Sequence, residues 1–181
     1  MFVIGSSAYT PQLQTKSFKA MVNAISYIIR RYKISPSDTQ VGVVVFGRSA
    51  SSPIRLGSIN DKQSLLDAVG RLSYPGPGAG IDMGVKEAAT MLREARKDGV
   101  RQRLVIFIDN IPRIESFDDI KTTVTGLRGE NVQVTAFGIG GRVKKDNIKT
   151  LSSDGMGISV NAAEDVAGAV KDLAKPVAET G

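Results

Sequence analysis

The side chains of this sequence that could carry chemistry are carboxylates and hydroxyls at the ends of apolar runs. Asp109 directly follows one such run, Ser6 and Ser7 follow another, and Asp82 comes after a glycine-rich stretch. Cys and His are absent from the 181 residues. Their absence removes thiolate and imidazole nucleophiles, Ser-His-Asp triads and zinc sites built from Cys or His. Only oxygen and amine chemistry is left.

A pair of carboxylates, Asp109 and Asp82, is the one arrangement that suggests catalysis. Hydrolysis by such a pair also needs a nucleophile or a base at a defined spacing, and the sequence shows neither. We therefore predict that the protein is not an enzyme and has no catalytic residues. The other carboxylates considered fit helix caps or solvated turns; they are Asp118, Asp119, Asp146 and Asp154.

Two glycine-rich segments could be mistaken for phosphate-binding loops. The segment 76–80 follows a predicted helix instead of a strand, and Pro77 lacks the amide N–H that a phosphate would use. The segment 138–141 does follow a predicted strand, but Val143 stands where the dinucleotide fingerprint has its third glycine. Both segments are predicted to be turns.

The elements that position these residues alternate between strand and helix. Unbroken apolar runs predict buried strands, and apolar residues at the 3.6-residue period predict amphipathic helices. The predicted strands are residues 2–4, 41–46, 53–56, 104–108, 132–139 and 158–160. The predicted helices contain residues 18–32, 65–72, 85–92, 117–127, 148–151 and 166–173, with Asn60 capping the second and Asn161 with Glu164 capping the last.

This alternation predicts an α/β fold, a doubly wound and mostly parallel six-stranded sheet with one antiparallel edge strand and helices on both faces. A single domain, residues 1–181, accounts for the length. Ligands of such sheets bind beyond the carboxyl ends of the strands, where the winding direction reverses. The candidate site is therefore formed by the segments 5–9, 75–82 and 109–112.

The order of these features resembles the von Willebrand factor type A domain. The most specific parts are the strands Val-Gly-Val-Val-Val-Phe, residues 41–46, and Val-Thr-Ala-Phe-Gly-Ile-Gly, residues 134–140. They look like the versions found in matrix proteins such as matrilins and the collagen VI family. The resemblance covers essentially the whole chain and implies a non-catalytic adhesion module.

The resemblance also implies a metal-ion-dependent adhesion site, in which an Asp-x-Ser-x-Ser motif, a Thr in the glycine loop and a later Asp hold a divalent cation. Here Gly5 stands at the leading Asp, Tyr9 replaces the second Ser and Ala79 replaces the Thr. Ser7 and Asp109 alone match the motif. We interpret this as a degenerate site.

Two matching positions are too few for a tightly held cation. Mg²⁺ takes six oxygen ligands in near-octahedral geometry, whereas Ser7 and Asp109 supply only a remnant of that set. We expect no cofactor and at most weak Mg²⁺ binding, with Asp82 open as a substitute ligand. Asp109, if buried without a cation, must accept a hydrogen bond from nearby backbone N–H groups, from the Ser6 or Ser7 hydroxyl, or from a basic side chain such as Arg113.

The function that the resemblance implies is adhesion or scaffolding in the extracellular matrix, as a domain of a larger secreted protein. The expected partner is a matrix protein such as collagen. An intracellular, metal-free scaffold domain that assembles a larger complex is the alternative. The predicted ligand-binding face consists of Ser6, Ser7, Tyr9, Gly80, Asp82 and Asn110.

The charge balance suggests a second kind of partner. The chain has 24 Lys and Arg against 18 Asp and Glu, a net charge of +6, so an anionic polysaccharide is a candidate. Nucleic acid is not expected, because no recognition motif occurs and aromatic residues make up only 6%. No apolar run is long enough for membrane insertion. The predicted basic surface consists of Arg93, Arg96, Lys97, Arg101, Arg103, Lys144 and Lys145.

Overall fold

The structure, a computed structural model, describes residues 1–6, 10–110, 114–171 and 173–174. The strands are β1 (Phe2–Gly5), β2 (Val43–Phe46), β3 (Ala50–Ile54), β4 (Gln102–Ile108), β5 (Val132–Ile139) and β6 (Ile158–Val160). The helices are α1 (Pro11–Arg30), α2 (Lys62–Gly70), α3 (Ile81–Glu94), α4 (Ile114–Gly129), α5 (Lys145–Leu151) and α6 (Val166–Ala169), the last preceded by a 3₁₀ turn at Ala163–Asp165.

Across the described residues, these strands form one six-stranded sheet in the order β3-β2-β1-β4-β5-β6. Neighbouring strands are parallel except β2 and β3, which are antiparallel. The predicted fold class is therefore confirmed, including the antiparallel edge strand. The winding direction reverses between β1 and β4, so the crevice expected of such a sheet lies beyond their carboxyl ends.

Each face of the sheet is covered by its own apolar core. Successive residues of a strand point to opposite faces, so Phe2 and Ile4 pack toward α1, α2 and α6, whereas Val3 packs toward α3, α4 and α5. The first core contains Phe107 and Phe137, whose ring centroids are 5.2 Å apart. Burial on both faces explains why the strands are unbroken apolar runs.

Several boundaries differ from the predicted ones. The α2 cap is Asp61, not Asn60; the Asp61 carboxylate accepts a hydrogen bond of 2.8 Å from the N–H of Ser64. The cap predicted at Asn161 is also wrong, because Ala162 precedes the 3₁₀ turn without a side-chain bond and Glu164 pairs with Lys16 instead. The edge strand is shifted to residues 50–54 from the predicted 53–56, and β2 begins at residue 43 instead of 41.

None of the helices in the described part of the chain is long and apolar enough to cross a membrane.

The aromatic pair in the first core should dominate its stability. Phe107→Ala is expected to lower the free energy of unfolding by about 3 to 5 kcal/mol, because Phe107 is fully buried and its loss leaves a cavity. Urea unfolding measures this. Leu13→Ala is the control, since Leu13 is 51% exposed on α1 and should change stability by less than about 0.5 kcal/mol. Equal costs for both variants would contradict the assignment of Phe107 to the core.

Candidate functional site

The carboxyl end of the sheet brings together part of the predicted ligand-binding face. Ser6 follows β1, Asp109 and Asn110 follow β4, and Gly80 caps α3. Ser6 is fully buried and Asp109 is 8% exposed. Ser7 and Tyr9 lie outside the described residues, as does Arg113, so their predicted roles stay predictions.

The Asp109 carboxylate is held by a neighbouring hydroxyl. Ser6 Oγ donates a short hydrogen bond to Oδ2 of Asp109. A buried carboxylate without partners would be costly, and the prediction that Ser6 is among its donors is confirmed. This bond ties the end of β1 to the end of β4 at the point where the sheet reverses its winding.

A second pair of polar side chains extends this contact, and the sequence did not single it out. Tyr74 donates its phenolic hydrogen to Oε1 of Gln14 at 2.7 Å, and its oxygen lies 3.3 Å from the carbonyl oxygen of Ser6. Burial, and then the negative charge of Asp109, raises the pKa of Tyr74, so its phenol remains a donor at neutral pH. Gln14 lies four residues before Phe18 on the apolar face of α1. A polar residue on the otherwise apolar face of the helix was the sequence signal that could have identified Gln14.

Gly5 is packed too tightly to carry a side chain. A Cβ atom at this position would lie 2.4 Å from the carbonyl oxygen of Phe46 and 2.7 Å from two atoms of its ring. Gly5 and Phe46 are paired neighbours on β1 and β2. The space where the leading Asp of the adhesion motif would begin is therefore occupied by the neighbouring strand.

The glycine loop before α3 is explained by close packing. A Cβ at Gly78 would lie 2.0 Å from the carbonyl carbon of Gly47, and the N–H of Gly80 donates to the oxygen of Gly47 at 3.0 Å. These glycines allow the loop to lie against the turn after β2. Their packing accounts for the glycines and agrees with the interpretation of the segment as a turn.

The described residues of this end do not fit a tightly held divalent cation. Among them no group of three or more Asp, Glu, His or Cys side chains is placed to hold a metal ion. The Asp109 carboxylate already accepts the Ser6 hydroxyl, and Gly5 has no room for a carboxylate. Asp82 lies in the first turn of α3. The hydrogen bond to Asp119, and then the charges of Asp119 and Asp82, raise the pKa of Lys86.

The residues of the predicted basic surface lie at two opposite ends of the domain. Lys144 and Lys145 lie at the start of α5, beyond the carboxyl end of β5. The others lie between the last turn of α3 and the start of β4, where the parallel strands begin. They are Arg93, Arg96, Lys97, Arg101 and Arg103.

Several of these cations also have partners. Arg93 and Arg96 both face Glu130, at 2.8 Å and 3.7 Å. The Arg93 guanidinium accordingly holds the pKa of Glu130 below its usual value. Arg103 donates to the side chain of Gln133 and to the carbonyl of Leu173, both at 3.0 Å.

An open, mostly parallel sheet whose winding reverses between β1 and β4 places the chain in the class of doubly wound α/β domains. The family model of the von Willebrand factor type A domain matches residues 1–175. The chain belongs to this family.

Curated relatives are similar over most of this chain but are themselves longer. Integrin alpha-1 of Gallus gallus is 29% identical over 142 residues, covering 75% of this chain and 47% of the relative. Matrilin-3 of Homo sapiens is 27% identical over 160 residues, covering 85% and 31%. The chain thus spans less than half the length of these relatives.

Solved structures share the fold. Proximal thread matrix protein 1 from the mussel byssus matches with a TM-score of 0.84 at 20% identity, covering 96% of this chain and 44% of the other. It has also been solved with a zinc-occupied MIDAS motif, the metal-ion-dependent adhesion site. Manganese-loaded Plasmodium vivax TRAP protein matches with a TM-score of 0.71 at 18% identity, covering 92% of this chain and 69% of the other. At these identities the likeness shows the fold alone.

Crowding at Gly5 can be tested with a single methyl group. Gly5→Ala is expected to destabilise the domain by about 1 to 3 kcal/mol, because the strands must separate to admit the Cβ atom. Thermal or urea unfolding measures the change. Gly70→Ala is the matched control, since no atom lies within 4 Å of its added Cβ and Ala is favoured over Gly in a helix. A neutral Gly5→Ala variant would show that the position has room for a side chain.

The Ser6–Asp109 bond makes a separate prediction. Ser6→Ala should cost about 1 to 3 kcal/mol, because it removes a donor from a buried carboxylate. The cost should shrink when the same change is made in an Asp109→Ala background, as a double-mutant cycle of urea unfolding would report. Ser58→Ala is the control, because Ser58 makes an exposed hydrogen bond of 2.7 Å that water can replace. Purely additive costs would mean that the two side chains do not interact.

Proposed function

We propose that this domain is a non-catalytic adhesion module of an extracellular matrix protein that binds its partner without a tightly held metal ion. Family membership supports the adhesion role, since the relatives include a matrilin and an integrin alpha chain. The close approach of Gly5 to Phe46 is the observation that carries the metal-free part.

The ligand-binding face is the carboxyl end of the sheet, with Ser6, Ser7, Tyr9, Gly80, Asp82 and Asn110 as its predicted members. Two exposed apolar side chains support this assignment. Leu13 near the start of α1 is 51% exposed, and Met83 in the first turn of α3 is 40% exposed. Apolar contacts beside polar ones are typical of protein interfaces.

The same face supplies specificity without a cation. Ser6 and Asp109 are buried and hydrogen-bonded to one another, so the proposed contacts with a partner come from the partly exposed Asp82 and Asn110 together with neighbouring side chains. A matrix protein such as collagen, with Lys or Arg side chains to pair with Asp82, is the proposed partner.

Collagen binding in the presence of a chelator tests this function. The domain is expected to bind immobilised fibrillar collagen equally in EDTA and in Mg²⁺. Asp82→Lys should weaken binding at least about tenfold, because it places a repelling charge in the face. Asp98→Lys is the matched control. Asp98 is exposed at the end of the domain opposite to the ligand-binding face, so the same change of charge there should leave collagen binding unchanged.

Three results would contradict the proposal. Absence of collagen binding both in EDTA and in Mg²⁺ would remove collagen as the partner. Loss of binding in EDTA would show that a cation takes part. Calorimetric titration of Mn²⁺ that gives about micromolar affinity, lost in Asp109→Ala, would show an intact metal site.

A further inference from the structure

The positive charge of the chain is concentrated at one end of the domain. We define the basic end as four segments at the end of the sheet where β2, β4 and β5 begin and β3 ends, which are residues 30–42, 55–62, 93–103 and 128–131. Together they contain eleven of the 24 Lys and Arg but only five of the 18 Asp and Glu. This excess of six equals the net charge of the chain, so the remaining residues are balanced.

Contacts between these segments show that they form one surface. Lys62 donates to the carbonyl of Arg30 at 3.4 Å, and Arg55 pairs with Glu94 at 3.2 Å. The N–H of Gly57 donates to the carbonyl of Val41. Segments far apart in sequence are thus adjacent at this end of the sheet.

Ion pairs neutralise only part of this charge. Acidic residues of the basic end pair with Arg and Lys of the same end, as Glu130 does with Arg93 and Asp38 with Lys33. Because the cations outnumber the acids, an excess remains after every acid is counted. Arg30, Lys97 and Arg101 are exposed to solvent and can reach an external anion.

A cavity gives this end a recessed contact area. Its volume is about 530 Å³; most of its lining is apolar, and its polar members include Arg101, Arg103, Gln40 and Gln133. Arg103 already donates to Gln133 and Leu173. Arg101 is an exposed member of the lining, and its guanidinium carries only donors, which suit sulfate oxygens because these only accept hydrogen bonds.

We propose that the basic end binds a sulfated polysaccharide, independently of the ligand-binding face at the opposite end. Eight of its eleven cations are Arg, whose planar guanidinium binds oxyanions through two parallel hydrogen bonds. Tyr32 is the single aromatic residue in the sequence of its four segments. Single-stranded nucleic acid is usually bound on several stacking aromatic side chains, so the composition favours the polysaccharide.

Two triple variants with the same change in charge test the location. The variant Arg30→Gln, Lys97→Gln, Arg101→Gln removes three exposed cations from the basic end, and Arg48→Gln, Lys144→Gln, Lys145→Gln removes three from the opposite end. The measurement is the affinity for a heparin-derived oligosaccharide across a salt series. The first variant should bind at least about tenfold more weakly, with a shallower dependence of affinity on salt. The second should stay within about twofold of the parent.

Equal losses in both triple variants would overturn the proposal, because they would show a response to net charge alone. Thermal unfolding of both variants checks that the exposed substitutions leave the fold intact. Competition tests the chemical class: desulfated heparin should not displace the oligosaccharide. A single-stranded oligonucleotide and polyglutamate of equal charge should compete at least about tenfold more weakly. Displacement by either at equal charge would overturn the assignment to a sulfated polysaccharide.

Discussion

The close approach of β1 and β2 at Gly5 is the constraint on which the candidate site depends. Gly5 has no side chain, so the Phe46 carbonyl and ring can come within a distance that no Cβ atom tolerates. Phe46 in turn fills the space beneath α3, where a Cβ added at Gly84 would lie 3.3 Å from Phe46 Cβ. Small residues on the strand and on the helix thus let one aromatic ring close the end of the core, and interiors packed to this density do not admit an extra group without rearrangement.

The polar groups above that ring follow from the same constraint. A carboxylate at the end of a buried strand needs partners, because desolvation of an unpaired charge is costly. In this chain a hydroxyl from the adjacent strand meets the need at Asp109, and Tyr74 with Gln14 joins the glycine loop side of the domain to α1. Hydrogen bonds between fixed side chains hold the strand ends and α1 together. The face around them is therefore organised by the chain itself, as the proposed adhesion surface without a cation would require.

The fold was predictable because its signals are periodic and local. Unbroken apolar runs and the apolar face of α1 can be recognised without knowing how the side chains pack. The sheet, the helices and their layers could therefore be predicted from them. The helix cap could not be chosen from the sequence in the same way. Asn60 and Asp61 are both good N-cap residues, and the residue at which α2 begins in the folded domain decides that Asp61 is the cap. The sequence showed that Gly5 stands where the adhesion motif has its leading Asp. It did not show the crowding there, because Gly5 and Phe46, which come into contact, are 41 positions apart. Tyr74 and Gln14 were missed for the same reason.

Topology also explains why a basic surface inferred from sequence divides in two. In a parallel sheet with returning helices, the ends of α1, α3 and α4 lie at the end where strands begin, whereas α5 starts at the other. Each helix C-terminus carries roughly half a negative charge, which favours nearby Lys and Arg. Three such termini offset only about one to two positive charges, fewer than the excess of six at the basic end. Helix dipoles therefore account for part of this charge, and the proposed polysaccharide site depends on the remainder.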